Sequence, residues 1–259
     1  MLKMNDYLDV AVDLAKQAGE IMLLNFTLQM KKEWKNDSSP VTATDKEINS
    51  LVIKTLSEKF PTHGIIGEEE SLQKKSDYQW VCDPIDGTVP FSHGYPTFTF
   101  SLALTKNGES IVGVIHDPIM DRMLTAIKGQ GAFLNGKRIS VSKQKKILPT
   151  SVINLSYHKR LLGIREKLIT RYNCMTTILF STVYSSMMVA YGEYLGEIFE
   201  FDKPWDCAAV KIIVEEAGGR VTDIEGNDQR YDKLTNGYIA SNGYVHDELV
   251  EVCKQLLNK

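Results

Sequence analysis

Asp83 and Asp86 are the residues whose type and spacing point most directly to chemistry. They lie in the run Trp80-Val81-Cys82-Asp83-Pro84-Ile85-Asp86-Gly87-Thr88. Trp80, Val81 and Cys82 suit a short, mostly buried strand. Pro84 is expected to end that strand, because it has no backbone donor. Asp86-Gly87 then turns the chain, since glycine tolerates backbone angles that other residues resist. Two carboxylates are thereby held close together at a strand tip. Such a pair repels unless a proton or a cation lies between them. The donors are hard oxygens with no histidine or thiolate cluster beside them, so Mg²⁺ is the expected cation. An ordinary turn uses the same Asp, Pro and Gly. The choice therefore depends on which other acids reach this place.

Three further acidic segments are candidates. Ile65-Ile66 is a short apolar run ending in Gly67-Glu68-Glu69-Glu70. If it forms a strand beside the Trp80 strand, Glu68 and Asp83 emerge at one sheet edge, where open α/β sheets place ligands. Val41-Thr42-Ala43-Thr44-Asp45 precedes a helical stripe of Ile48, Val52 and Leu56. Thr44 with Glu47 matches a capping box, so that helix is expected to start at Asp45. Trp205-Asp206-Cys207-Ala208-Ala209 opens another helix, with Ala209, Ile212, Ile213 and Ala217 inward and Gly218-Gly219 as its stop. Asp206 is expected at its start, where capping is the alternative role.

The remaining elements must position these acids. Leu8, Ala11, Val12, Ala15, Ala18 and Met22 predict a helix over residues 4–26. Residues 31–40 read as a polar loop ending in Asp37-Ser38-Ser39-Pro40. Residues 97–105, 111–115 and 123–127 read as successive strands broken by Asn107-Gly108 and Asp117-Pro118. The second half alternates: strand 151–157, helix 159–171, strand 176–180, helix 184–191, strand 195–201, then the Asp206 helix. Val221, residues 236–241 and a terminal helix over 245–257 complete it.

The 259 residues, 43% hydrophobic and 24% charged, suit one large α/β domain with a substantial core. Residues 1–141 form an N-terminal half with most of the acids, and 142–259 a C-terminal half that supplies Asp206. A formal net charge of −3 argues against a nucleic-acid or anionic-membrane partner. Cys82, Cys174, Cys207 and Cys253 form no C-x-x-C pair, so they are expected to be buried free thiols of a reducing compartment. The acidic N-terminal segment does not read as a signal peptide, and no run approaches the roughly 20 apolar residues of a membrane span. A cytoplasmic location is expected.

Val41-Thr42-Ala43-Thr44-Asp45, Gly67-Glu68-Glu69, Asp83-Pro84-Ile85-Asp86-Gly87-Thr88, and Trp205-Asp206-Cys207-Ala208-Ala209 running to Glu216-Ala217-Gly218-Gly219 occur in this order across nearly the whole chain. Together they resemble the inositol monophosphatase family of Mg²⁺-dependent, lithium-sensitive phosphatases. The resemblance implies a layered α/β/α/β/α sandwich of the inositol monophosphatase and fructose-1,6-bisphosphatase type, usually a homodimer. It implies two or three Mg²⁺ ions. Glu68, Asp83 and the Ile85 carbonyl look like ligands of the first, and Asp83, Asp86 and Asp206 of the second. A third would lie near Glu68 with Glu69 beside it. Asp45 and Thr88 look like the pair that orients and deprotonates water, with Glu68 in support. The Gly87 and Thr88 N–H groups would hold phosphate oxygens, while Asp86, Asp206, Glu200 and Tyr184 face the substrate.

Those roles suit the chemistry. A phosphomonoester is an anion attacked by a weak nucleophile, and paired metals clamp attacking and leaving oxygens. Thr88 is a poor base alone, so Asp45 must take its proton. The chain departs from the family pattern at Val89-Pro90-Phe91, where an Asn usually precedes the aromatic. It departs again at Ser181-Thr182-Val183-Tyr184, where a Gly-Thr-Ala-Ala type of segment is usual. Glu200 matches the substrate-recognising glutamate only if one residue is deleted. Inositol monophosphate or a related sugar or cyclitol phosphate is the expected substrate. Fructose 1,6-bisphosphate, histidinol phosphate or a nucleotide 3′-phosphate are alternatives within the fold. A silent phosphate-binding or partner-binding module is the alternative of another class. A haloacid-dehalogenase-type phosphatase places its two aspartates two residues apart, which Asp83 and Asp86 do not match.

Overall fold

The computed structural model describes residues 3–28, 30–35, 40–201 and 203–257. Its helices are α1 (Met4–Asn25), α2 (Ala43–Lys59), α3 (Thr88–His93), α4 (Leu162–Tyr172), α5 (Thr182–Ala190), α6 (Ala208–Glu216) and α7 (His246–Leu257). A two-stranded ribbon joins β1 (Glu33–Trp34) to β2 (Pro40–Val41). A mixed sheet follows in chain order: β3 (Gly64–Gly67), β4 (Tyr78–Asp86), β5 (Thr99–Lys106), β6 (Glu109–Asp117), β7 (Arg122–Ile127), β8 (Gly131–Leu134) and β9 (Lys137–Arg138). A second sheet contains β10 (Val152–Leu155), β11 (Met175–Thr177), β12 (Gly196–Phe199), β13 (Arg220–Thr222) and β14 (Tyr238–Ser241), in the order β11-β10-β12-β14-β13.

The layers follow from which helix faces are apolar. Tyr7, Ala11, Leu14, Ala15, Ala18 and Met22 of α1 are buried with Ile48, Val52 and Leu56 of α2 against the first sheet. Each fully buried leucine of that stripe contributes roughly 1.5–3 kcal/mol. Gly19 lets α1 approach β6 closely, since a Cβ there would lie 2.5 Å from the His116 ring. His116 Nδ1 in turn bonds the Ala15 carbonyl oxygen at 2.8 Å. The other face of this sheet packs on α5 and α6, whose far sides cover the second sheet. Helices α4 and α7 close the outer face of that sheet. The expected α/β/α/β/α order is therefore present. The four cysteines are free and buried.

Several boundaries differ from the sequence expectation. Helix α2 begins at Ala43 with Thr42 as its cap, not at Asp45. Asp45 Oδ2 accepts hydrogen bonds from Thr42 N (2.8 Å) and Thr42 Oγ1 (2.5 Å), so Asp45 itself is the third residue of the capping box. Pro84 does not end β4. Asp83 pairs with Ser101 and Asp86 with Thr99, so Pro84 and Ile85 occupy a bulge, where a missing donor is tolerated. Asp206 lies in a 3₁₀ turn, Pro204–Asp206, and α6 starts two residues later. The 159–171 helix opens as a 3₁₀ turn, Lys159–Leu161. The 176–180 strand is cut to Met175–Thr177, and Phe180 takes a positive φ of 56°. The Asp37-Ser38-Ser39 turn and Asp202 lie outside the described residues.

His246 ties α7 to the second sheet. Its ring is fully buried and bonded to Thr222 Oγ1 and Ser241 Oγ, each at 2.9 Å. Burial, aided by the Arg220 charge, pushes its pKa from 6.5 down to about 4. The unfolded chain gains this proton as pH falls below 6.5, whereas the folded chain gains it only near pH 4. Stability is therefore lost as pH falls through that window, by at most about 1.4 kcal/mol per pH unit. Urea unfolding at several pH values checks this. The His246→Asn variant should lose less stability than the parent between pH 6.5 and 4, and parallel curves would refute the assignment.

Candidate active site

β3 and β4 run parallel, with Gly67 opposite Cys82. Glu68 N donates to the Cys82 carbonyl at 3.2 Å, which fixes Glu68 beside Asp83. The bulge at Pro84 redirects the chain so that Asp86 returns to the same place. The 3₁₀ turn before α6 brings Asp206 in from the second half. One carboxylate oxygen each of Asp83, Asp86 and Asp206 lie within 4.8 Å of one another. Burial raises the pKa of Asp83 well above the carboxylate range, and Glu68, Asp86 and Asp206 add to the shift. Asp206 is raised well above it too, by burial and then by Asp86 and Glu68.

Asp86 is held differently. Its Oδ1 accepts from Thr182 N at 3.1 Å. Its Oδ2 accepts from Val183 N (3.1 Å), Tyr184 N (3.3 Å), Thr99 Oγ1 (3.3 Å) and the Ser181 hydroxyl. The start of α5 is thus aimed at this carboxylate, as helix N-termini are at anions. Burial still raises the Asp86 pKa, but Ser181 and the three backbone donors oppose it. Gly87 follows with φ 86°, and a Cβ there would meet Ser181 Cβ at 2.8 Å and Thr97 O at 2.9 Å. Only glycine fits that turn.

Asp45 and Thr88 meet. Thr88 Oγ1 lies 3.2 Å from Asp45 Oδ1 and 3.1 Å from the Ile85 carbonyl oxygen, with its proton shared between them. Burial lifts the Asp45 pKa to about 6, against the Thr42 hydrogen bonds and with help from Glu68 and Glu69.

These residues suit a hard divalent cation. Asp83 Oδ1 is buried and has no hydrogen-bond partner, an orphan that a cation would satisfy. All donors are oxygens arriving from several directions. A protein cation already stands at the edge of the cluster, since Lys35 Nζ bonds Glu68 Oε1 at 2.8 Å and Glu69 Oε1 at 2.5 Å. Burial opposes the Lys35 charge, but these two carboxylates hold its pKa above the ordinary lysine value.

Two expected substrate residues are placed elsewhere in their contacts. Both Glu200 oxygens are occupied, Oε2 by a hydrogen bond with His158 Nδ1 at 2.8 Å and Oε1 by an ion pair with Arg160 Nη1 at 2.6 Å. The Tyr184 hydroxyl accepts from Arg122 Nη2 at 2.6 Å. A cavity of about 500 Å³ between Asp223 and Asn236 touches none of Asp45, Glu68, Asp83, Asp86 and Asp206. Lys35, Ser181 and Glu197 escaped sequence reasoning as site residues. Glu197, fully buried on β12, accepts from Thr182 Oγ1 at 3.1 Å, and burial pushes its pKa up to about 8. Its Oε2 has no partner. The one signal was the departure at Ser181-Thr182, whose backbone and hydroxyl turn out to serve Asp86.

Comparison with known proteins agrees with this geometry. The profile of the inositol monophosphatase family matches residues 3–257. The fructose-1,6-bisphosphatase/inositol-1-monophosphatase of Thermotoga maritima is 34% identical over 258 residues, covering 98% of each chain. Inositol monophosphatase 2 of Solanum lycopersicum is 34% identical over 265 residues, covering 97% of this chain and 99% of its own. The solved structure of a Thermotoga maritima IMPase superposes with a TM-score of 0.90 at 34% identity, covering 98% of both chains. By converging acids, layered fold and relatives alike, the chain belongs to the inositol monophosphatase family.

Proposed function

We infer that this phosphoric monoester hydrolase acts on a small phosphomonoester with Mg²⁺ held by Asp83, Asp86, Asp206, Glu68 and the Ile85 carbonyl. The observation that carries this reading is the meeting of three carboxylates from both halves beside the Asp45–Thr88 hydrogen bond. When bound, Mg²⁺ neutralises the phosphate and lowers the pKa of water. Thr88 Oγ1 takes a proton from the attacking water as its own passes to Asp45 Oδ1. A carboxylate with a pKa of about 6 is matched to that work near neutral pH. The N–H groups of Gly87 and Thr88, at the turn into α3, receive phosphate oxygens. Residues 1–141 supply most of these groups and 142–259 supply Asp206 and the face of the pocket, so the whole chain works as one catalytic unit. Two or three ions, lithium inhibition, a homodimer and a cytoplasmic setting accompany the reading.

Inositol monophosphate or a related cyclitol or sugar phosphate is the proposed substrate. Fructose 1,6-bisphosphate is the second reading, favoured by the double name of the Thermotoga relative. Hydrolysis of both, measured side by side with Mg²⁺ and with EDTA, separates them.

Asp83→Asn is the cleanest test of the site, because Asp83 Oδ1 has no partner to lose. Activity should fall by more than the roughly 100-fold that outer partners of metal ligands cost. The circular dichroism spectrum should stay as in the parent. Retained turnover would remove Asp83 from the metal site.

The repulsion that a cation relieves persists without it. Both Asp83 and Asp206 have raised pKa values, so their ionisation destabilises the metal-free fold as pH rises. In EDTA at pH 8, Asp206→Asn should melt a few degrees above the parent, each kcal/mol of relief being worth roughly 2–4 °C. An equal or lower Tm would show that the carboxylates do not strain one another.

A further inference from the structure

We propose that Arg122 is a positioning residue for Asp86, acting through α5. Arg122 and Asp117 face each other across the β6–β7 hairpin. Arg122 Nε and Nη2 both donate to Asp117 Oδ2, at 2.8 and 2.5 Å. Asp117 is fully buried, and its Oδ1 also accepts from Ile119 N at 3.0 Å and Met120 N at 3.3 Å. The carboxylate is therefore fixed by its own turn, and it fixes the guanidinium.

The guanidinium spends its remaining donors on α5. Nη2 reaches the Tyr184 hydroxyl at 2.6 Å and Nη1 the Tyr191 hydroxyl at 2.7 Å. Both rings also lie against it, with centroids 5.1 and 5.9 Å from the guanidinium carbon. Tyr184 is in the first turn of α5 and Tyr191 caps its end. Residues seven apart share one helix face, about two turns apart. Arg122 thus grips α5 near both ends of that face. A rigid fork with five donors suits this task, whereas a lysine ammonium does not.

The grip bears on Asp86 because the same helix supplies three backbone donors to that carboxylate. Tyr184 does both jobs: its hydroxyl accepts from Arg122 and its N–H donates to Asp86 Oδ2 at 3.3 Å. Any tilt of α5 moves the Thr182, Val183 and Tyr184 N–H groups together. The direction of the Asp86 carboxylate then depends on a residue two contacts away. Groups that orient metal ligands are worth about 10–100-fold in metal affinity.

The inference rests on the reading of Asp86 as a metal ligand, so the test carries a control for it. Mg²⁺ binding to the substrate-free enzyme is measured by calorimetry, and activity is measured against Mg²⁺ concentration. The paired variant Arg122→Met/Asp117→Asn, which leaves no buried charge unpaired, should bind Mg²⁺ about tenfold more weakly. Its activity should return towards the parent value in excess Mg²⁺. Tyr184→Phe, which removes a single hydroxyl, should weaken Mg²⁺ binding to the substrate-free enzyme several-fold. A variant that merely loosens the fold loses kcat at every Mg²⁺ concentration, and a lost pocket contact raises the substrate KM alone. Either result overturns the proposal. If the paired variant fails to fold, Tyr184→Phe decides. If the parent itself binds no Mg²⁺, or Asp83→Asn binds it equally well, the metal site falls. If those two behave as expected and the Mg²⁺ affinities of both Arg122-face variants match the parent, the Arg122 proposal falls alone.

Discussion

Carboxylates that crowd a buried sheet edge repel one another, and the rest of the structure is arranged around that repulsion. Asp83, Asp86 and Asp206 each bring an oxygen within 4.8 Å of the others. The fold cannot relax by turning one away, because each is anchored by different machinery. Asp83 is in a strand paired on both sides, Asp86 is seated on the end of α5, and Asp206 is in a 3₁₀ turn docked on β4 and β5. The acids must instead be neutralised where they stand. Without a metal ion the remedies are raised pKa values at Asp83 and Asp206, the α5 donors on Asp86, and the Lys35 ammonium on Glu68 and Glu69. All three remedies are partial, and a hard divalent cation answers the same charge more fully.

The two halves of the chain share responsibility for the site through the helices between the sheets. α5 and α6 pack on both sheets and so join them. The start of α5 is tied to the second sheet as well as to Asp86. Thr182 Oγ1 donates to Glu197 on β12 and pairs with the Tyr238 hydroxyl of β14 at 3.0 Å, and Ser186 Oγ meets that hydroxyl at 2.8 Å. Glu197, with a pKa of about 8, is mostly a neutral acid at pH 7 and adds little charge behind Asp86. These bonds anchor α5 to the second sheet. The helix that supports Asp86 is consequently held from the second sheet at Thr182 and from the first sheet at Tyr184.

Local patterns were legible in the sequence, and contacts between distant segments were not. An apolar run that ends in an acid predicts a strand tip with a carboxylate, and that rule located Glu68 and Asp83 side by side. The layered fold followed from the motif order that the family shares. The capping box went astray because Thr42 and Thr44 are chemically equivalent candidates. Only the reach of Asp45 back to Thr42 decides between them. Pro84 reads as a strand terminator until the opposing strand shows that a bulge absorbs it. Lys35 meets Glu68 across 33 positions and Ser181 meets Asp86 across 95, so neither has a periodic signature. Glu200 matched the motif only with one residue deleted, and His158 and Arg160 occupy both its oxygens, which a motif cannot foretell.

The three aspartates are not equivalent, because they differ in what opposes the cost of their burial. Burial penalises ionisation of each, but only Asp86 receives compensating backbone donors from a helix N-terminus. A cation held here would meet a carboxylate already aimed by the Thr182, Val183 and Tyr184 N–H groups. α5 therefore does more than orient a side chain, because its donors oppose the rise in pKa that burial imposes on Asp86. Part of the cost of gathering buried acids is thus offset by a helix N-terminus.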